Sequence, residues 1–156
     1  MQKGSRRRSR ELALKLIYCF SEGTPEPRLL LDDFWSHFRF ADDVLGEPLD
    51  ETDTHLPTEV VGYTEDLVIG AAGNLGLLDQ TIKQYSTNWA LERMAKVDLA
   101  ILRLATYELL YRPDVPASVV INEAIELGKQ YGTRETPAFV NGILDKISHQ
   151  HRTAEK

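Results

Sequence analysis

The amino-terminal end of the chain concentrates side chains suited to binding a polyanion. Five cations stand within the first ten residues, namely Lys3, Arg6, Arg7, Arg8 and Arg10. The whole chain has a formal net charge of -6, so the cluster is a local feature rather than a result of composition. Positive charge at a helix amino terminus opposes the helix macrodipole, and a bound phosphate chain would remove that cost. The cluster therefore predicts a binding site for an acidic polymer.

Acidic charge is localised as well. No Lys or Arg occurs from residue 40 to residue 82, and this stretch holds ten Asp and Glu residues. The remaining residues carry 18 cations against 14 anions. Because most of the chain is basic on balance, the acidic overall charge does not argue against nucleic-acid binding.

Residues for catalysis or metal binding do not form a recognisable pattern. The four histidines are scattered, and the glycine-containing run 70–76 follows a helical pattern and lacks Lys, which favours a helix terminator over a phosphate loop. The single cysteine, Cys19, is expected to be buried. We therefore expect no enzyme, no cofactor and no metal site.

Apolar residues recur at helical spacing along most of the chain, and nothing is typical of a β-hairpin. No apolar run approaches the roughly 20 residues that span a bilayer, so we expect a cytoplasmic protein without membrane contact. The predicted helices cover residues 5–22, 28–40, 57–73 and 77–85, a segment that starts at Asp98, and residues 119–131 and 136–149.

These helices predict an all-α fold, a single domain over residues 1–156 made of two packed subdomains. The first subdomain, about residues 1–76, is expected to be a three-helix bundle, and the second, about residues 77–150, a bundle of about four helices. Residues 41–57 lack periodicity and are expected to form an acidic loop. The tail from Gln150 is expected to fray.

Two aromatic residues lie in polar surroundings and are candidates for stacking on a nucleobase. Tyr85 ends a short helix beside Lys83, and Phe139 lies one turn into the last helix. For each ring, burial in the core is the alternative. Trp35, Trp89 and Tyr107 lie in apolar stripes and are expected to be core residues.

Several blocks together resemble the bacterial NusB family of transcription antitermination proteins. At the amino terminus they are Arg6-Arg7-Arg8-Ser9-Arg10-Glu11 and then Leu16-Ile17-Tyr18. In the second half they are residues 97–105, 107–109, 114–116, 120–127 and 139–146. The likeness covers nearly the whole chain except residues 41–57, where this sequence has a longer acidic loop than the family pattern suggests.

The resemblance implies a non-enzymatic protein that binds single-stranded boxA RNA together with NusE, the ribosomal protein S-ten, in a transcription elongation complex with RNA polymerase. It implies RNA contacts by the arginine cluster with Tyr18, Tyr85 and Phe139. It also implies contacts of Glu92 and Asp98, with Glu135 as a further candidate, to the basic partner. The alternative is a helical protein-interaction module whose basic amino terminus binds an acidic protein, or the chain's own acidic loop, rather than RNA.

Overall fold

The computed structural model describes residues 5–20, 26–44, 56–87 and 89–152, with residues 37–44 described for the backbone only. Within these ranges the chain forms seven α-helices, one short 3-10 helix and no strand, so the all-α prediction is confirmed. The helices are α1 (Ser5–Tyr18), α2 (Pro27–Val44), α3 (Thr58–Gly73), α4 (Leu75–Tyr85), α5 (Lys96–Tyr111), α6 (Ala117–Tyr131) and α7 (Thr136–His151). The 3-10 helix is Leu91–Arg93.

Helix α2 corrects part of the predicted acidic loop. It continues to Val44, so residues 41–44 are helical instead of irregular. The apolar spacing of Phe40, Ala41 and Val44 supports this extension, and no Gly or Pro occurs between Pro27 and Gly46. Residues 45–55, which make up most of the predicted loop, lie outside the described residues.

The chain divides into two compact units, residues 1–69 (unit 1) and residues 70–156 (unit 2). The division falls inside α3, between Ile69 and Gly70, whereas the sequence suggested a boundary near residue 76. Each unit has its own buried apolar side chains, including Leu12 and Leu67 in unit 1 and Ile101 in unit 2.

Unit 1 joins α1 to α3 through the Ser9 hydroxyl, whose acceptor in α3 is shared with the hydroxyl of Thr64 in the same helix. The Ser9 hydroxyl donates to the Val60 carbonyl at 2.9 Å, and the Thr64 hydroxyl donates to the same carbonyl at 2.7 Å. Ser9 and Thr64 are fully buried. Because both side chains are small and satisfied, the two helices approach closely, and this contact fixes the turn of α1 that carries the arginines.

Unit 2 is built around α5, most of whose residues are buried. Helix α7 packs against α4, α5 and α6. Gly70 contributes to this packing, since a Cβ atom there would lie 2.1 Å from the ring of Tyr107. The glycine-containing run thus ends α3 and allows a close contact, consistent with its interpretation as a helix terminator.

The end of α7 corrects the prediction of a frayed tail for residues 150–152, whereas residues 153–156 lie outside the described residues. Arg152 is 8% exposed, and its guanidinium donates to four backbone carbonyls. These are Leu109 at 2.7 Å, Val115 at 2.9 Å, Glu108 at 3.0 Å and Arg112 at 2.9 Å. The last carbonyls of a helix lack intrahelical partners, so Arg152 satisfies the carboxyl end of α5 and the connection that follows it.

Candidate nucleic-acid interface

The arginine cluster begins α1. Arg7 is exposed, and Arg6 and Arg8 are partly exposed. The Arg6 guanidinium lies over the Tyr63 ring at 4.6 Å from the centroid, and Arg8 pairs with Glu11 at 3.3 Å. These contacts hold the aliphatic stems in place while leaving positive charge at the surface. Lys3, the fifth predicted cation, lies outside the described residues.

Arg10 occupies a different environment from the other arginines. Its side chain is 3% exposed, and its guanidinium lies 5.9 Å from the Tyr63 ring centroid. Arg10 precedes Leu14 and Ile17 by four and seven residues, which places all three on the buried stripe of α1. In this conformation Arg10 is a buried member of the cluster that contacts Tyr63, and its charge is not presented at the surface.

Tyr18 is the last residue of α1 and is 45% exposed. It lies ten to twelve residues after Arg8 and Arg6, which corresponds to about 15–18 Å along the helix. A ligand that contacts both the arginines and Tyr18 must therefore extend along α1. Cys19, directly after it, is exposed, so the expectation of a buried thiol was wrong.

A second charged group of unit 1 links α2 to α3. Arg28 forms ion pairs with Glu65 and Asp32, and the Trp35 indole N–H donates to Glu65 Oε2 at 3.0 Å. The hydrogen bond from Arg28, together with that from Trp35, lowers the pKa of Glu65 below its ordinary value. Trp35 is half-buried, and its polar edge is used in this contact instead of lying wholly in the core.

The aromatic candidates of unit 2 are neither core residues nor fully exposed. Tyr85 is half-buried and lies edge-to-face with His151 at 6.3 Å between centroids. Phe139 is half-buried and lies at 6.1 Å and 83° to the Trp89 ring. Both rings thus keep an accessible portion, and both have an aromatic neighbour that fixes their position.

The sequence missed Trp89. It was expected in the core, yet it is 52% exposed. Its backbone N–H donates to the Ser86 carbonyl at 3.1 Å, and its backbone carbonyl accepts from the Ser86 hydroxyl at 3.2 Å. Trp89 therefore lies on a hydrogen-bonded turn between α4 and the 3-10 helix. The polar run Ser86-Thr87-Asn88 was the available signal, because such residues favour turns over buried helix faces.

The acidic candidates of unit 2 differ in accessibility. Glu92 and Glu135 are exposed, whereas Asp98 is half-buried and accepts a hydrogen bond from the Thr136 hydroxyl at 2.7 Å. The Thr136 hydroxyl also accepts from the Thr133 N–H at 2.9 Å. This hydrogen bond connects Asp98, in the first turn of α5, to Thr136, the first residue of α7.

The described residues give no support for a metal centre or a membrane segment. Among them no group of three or more His, Cys, Asp and Glu side chains is placed to hold a metal ion. None of their helices is long and apolar enough to cross a bilayer. Tyr107 is buried, as predicted.

The candidate site residues are divided between the two units. Unit 1 holds the arginine cluster and Tyr18, and unit 2 holds Tyr85, Phe139 and the three acidic candidates. The unit 1 candidates are cations at the start of α1 and the ring at its end, and the aromatic candidates of unit 2 lie at the end of α4 and on α7.

Comparisons with known proteins identify the family of the chain. The family model described as "NusB family" matches residues 7–149. The chain is 60% identical to "Transcription antitermination protein NusB" of Syntrophotalea carbinolica over 152 residues, which covers 97% of both chains. The solved structure of T. maritima NusB is 36% identical, with a TM-score of 0.68 over 94% of this chain and 92% of that one.

A further structure, that of the antitermination factors NusB and NusE in complex with double-stranded RNA, shares the fold. Its TM-score is 0.76 over 96% of this chain and 99% of that one, at 19% identity. The family model covers most of the chain, and the similarity to the Syntrophotalea carbinolica protein extends over nearly its full length. The chain therefore belongs to the NusB family of transcription antitermination proteins.

Proposed function

We propose that this protein binds single-stranded boxA-type leader RNA together with NusE and so supports processive transcription of ribosomal RNA operons. It acts as a binding factor without catalytic activity, in the bacterial cytoplasm where nascent RNA is made. The observation that carries the proposal is the set of arginines on the first turns of α1, displayed by an acidic protein that belongs to this family.

The arginines supply the first step, which is electrostatic capture. Arg7 is exposed, and Arg6 and Arg8 each keep part of their surface accessible. Guanidinium groups neutralise phosphates and release counterions regardless of base sequence. Lys3 extends the cluster in the sequence. Arg10 is buried, so it contributes indirectly, through its contact with the Tyr63 ring.

Unpaired bases supply the second step, which is sequence discrimination. Single-stranded RNA is recognised mostly by stacking on aromatic rings and by hydrogen bonds to base edges. Tyr18, Tyr85 and Phe139 each present an accessible ring for this purpose. Electrostatic capture alone does not select a sequence, so these rings and neighbouring polar groups carry the preference for boxA.

The acidic candidates suit contact with NusE. Glu92 and Glu135 are exposed and carry their charge at the surface of unit 2. Carboxylates on a rim steer a basic partner and raise the association rate. Asp98 contributes through its first-turn position in α5 while also holding Thr136.

A titration of boxA RNA and of its scrambled version, each with and without NusE, tests the proposal. We expect a preference for boxA that increases when NusE is added. Equal affinity for both RNAs in the presence of NusE would contradict it. Deletion of residues 1–10 provides a second test: RNA binding that survives this deletion would favour the protein-interaction alternative over a phosphate-binding cluster.

A further inference from the structure

The turn between α4 and the 3-10 helix displays a large aromatic side chain that has no assigned role. Trp89 is 52% exposed, although indole side chains are usually largely buried. Two hydrogen bonds to Ser86, which is itself buried, fix the backbone on either side of the ring. Trp89 is thus exposed while its own backbone N–H and carbonyl are held by Ser86.

The neighbouring ring leaves one face of the indole open. Trp89 and Phe139 lie 6.1 Å apart at an interplanar angle of 83°, an edge-to-face arrangement. In such a pair, one ring directs its edge at the face of the other. Whichever ring directs its edge, Phe139 covers at most one of the two indole faces. At least one flat surface of Trp89 is therefore not occupied by Phe139.

The charge around this turn favours a phosphate-bearing ligand. Residues 83–96 contain three cations, Lys83, Arg93 and Lys96, against one anion, Glu92. The three basic side chains are exposed. An exposed aromatic ring with exposed cations close to it in the sequence has the side-chain types that bind single-stranded nucleic acid, in which the base stacks and the phosphate pairs with a cation.

We propose that Trp89 is a stacking platform for one unpaired nucleobase of the bound RNA. This inference rests on the proposed RNA-binding function and deepens it, because it names a contact and its chemistry. Phe139 packs against the indole in an edge-to-face pair, and the two hydrogen bonds with Ser86 hold the Trp89 backbone before RNA binds. A pre-ordered ring loses little conformational freedom when a base stacks on it.

Fluorescence offers a direct test, because the chain has only two tryptophans. In a Trp35→Phe variant, Trp89 is the sole indole, and stacking of a base on it should quench its emission as boxA RNA is added in the presence of NusE. In a series of otherwise identical RNAs that each carry one abasic site, the RNA that lacks the stacking base should leave the Trp89 emission unquenched. NusE without RNA is the control for contact of the indole with protein.

Affinity measurements give the second readout. We expect Trp89→Ala and Trp89→Leu to weaken RNA binding by roughly 5- to 100-fold, and Trp89→Phe to lose less, because stacking needs a ring. The slope of affinity against salt should stay unchanged, since no phosphate contact is removed. Leu77→Ala is the matched control, because Leu77 is an apolar residue of the same unit with a similar exposure of 48%.

The outcomes separate this inference from the proposed function. RNA binding without quenching, or with Trp89→Leu as tight as wild type, would overturn the stacking role and leave the RNA-binding function standing. Quenching by NusE alone, with RNA affinity unaffected by Trp89→Ala, would assign the indole to a protein contact and overturn it as well. Absence of RNA binding by the wild-type chain would overturn both.

Discussion

The two ends of the described chain use arginine in opposite ways. At the start of α1, Arg7 is exposed at the surface, with Arg6 and Arg8 partly exposed beside it. At the end of α7, Arg152 is buried and donates to four backbone carbonyls. The first group keeps part of its surface accessible, whereas Arg152 is buried and uses four N–H···O hydrogen bonds to hold the fold. Exposure and hydrogen-bond partners, rather than residue type, distinguish the two groups.

The largest expected effect is on folding, at Arg152. Substitution Arg152→Ala removes a charged donor from four buried or partly buried carbonyls, so we expect the free energy of unfolding to fall by about 3 kcal/mol. Arg152→Lys should recover only part of that loss, because an ammonium lacks the planar fork. Urea unfolding measures the change, and RNA affinity per folded molecule should stay at the wild-type value. If Arg152→Ala were as stable as wild type, water molecules would replace Arg152 as hydrogen-bond donors to these carbonyls.

The next effect is on binding, at the arginine cluster. The triple variant Arg6→Gln, Arg7→Gln, Arg8→Gln should lower the slope of log affinity against log salt by about 2, at roughly 0.7 per phosphate contact for single strands. The same slope difference means that the ratio of wild-type to variant affinity is roughly 50-fold larger at 0.15 M salt than at 1 M. Filter binding or fluorescence anisotropy across a salt series measures both quantities.

The control for the arginine cluster changes net charge elsewhere. Lys129→Gln with Lys146→Gln removes two exposed cations of unit 2 and should leave the salt slope near the wild-type value. If the triple variant keeps the wild-type slope, the cluster does not contact phosphates. Unfolding midpoints should change little for the triple variant, in contrast to Arg152→Ala.

Local periodicity predicted most of the fold but not the partners of its polar residues. Apolar spacing located all seven helices, with α3 and the end of α6 at Gly132 placed almost to the residue. The role of Arg152 was missed because its acceptors lie 37 to 44 residues away, where local pattern gives no information. Trp89 was wrongly expected in the core because it is a large apolar side chain in an apolar stripe, although the polar run 86–88 already indicated a turn there.

The arginine cluster shows what a sequence reveals about a site. Charge density predicted the cluster, and the spacing of Arg10 with Leu14 and Ile17 was a usable signal that this arginine lies on the buried stripe. The exposure of Tyr85 and Phe139 was not predictable. Each lies at a helix position whose burial depends on one neighbouring ring, His151 or Trp89, from a distant part of the chain.

A smaller effect is expected on the rate of partner binding, at Glu92. Glu92→Lys reverses an exposed charge and should slow association with NusE several-fold at low salt, with the difference shrinking as salt is added. Asp98→Asn, by contrast, weakens the hydrogen bond from Thr136 and should lower the free energy of unfolding by about 1 kcal/mol. Stopped-flow association and urea unfolding separate the two. An unchanged association rate for Glu92→Lys would place Glu92 on an ordinary solvated surface.

The smallest effect concerns Arg28, an exposed arginine that pairs with Glu65 and Asp32. Its hydrogen bond lowers the pKa of Glu65, so Glu65 stabilises the fold above its ordinary pKa, and this contribution is lost as the pH falls through the lowered value. The difference in unfolding free energy between wild type and Glu65→Gln should therefore be largest near neutral pH and should shrink as the pH falls below the ordinary pKa of glutamate. Glu59→Gln, an exposed carboxyl on the same helix, is the control for charge removal. A difference that does not change with pH would show that the Arg28 contact does not favour the ionised carboxylate.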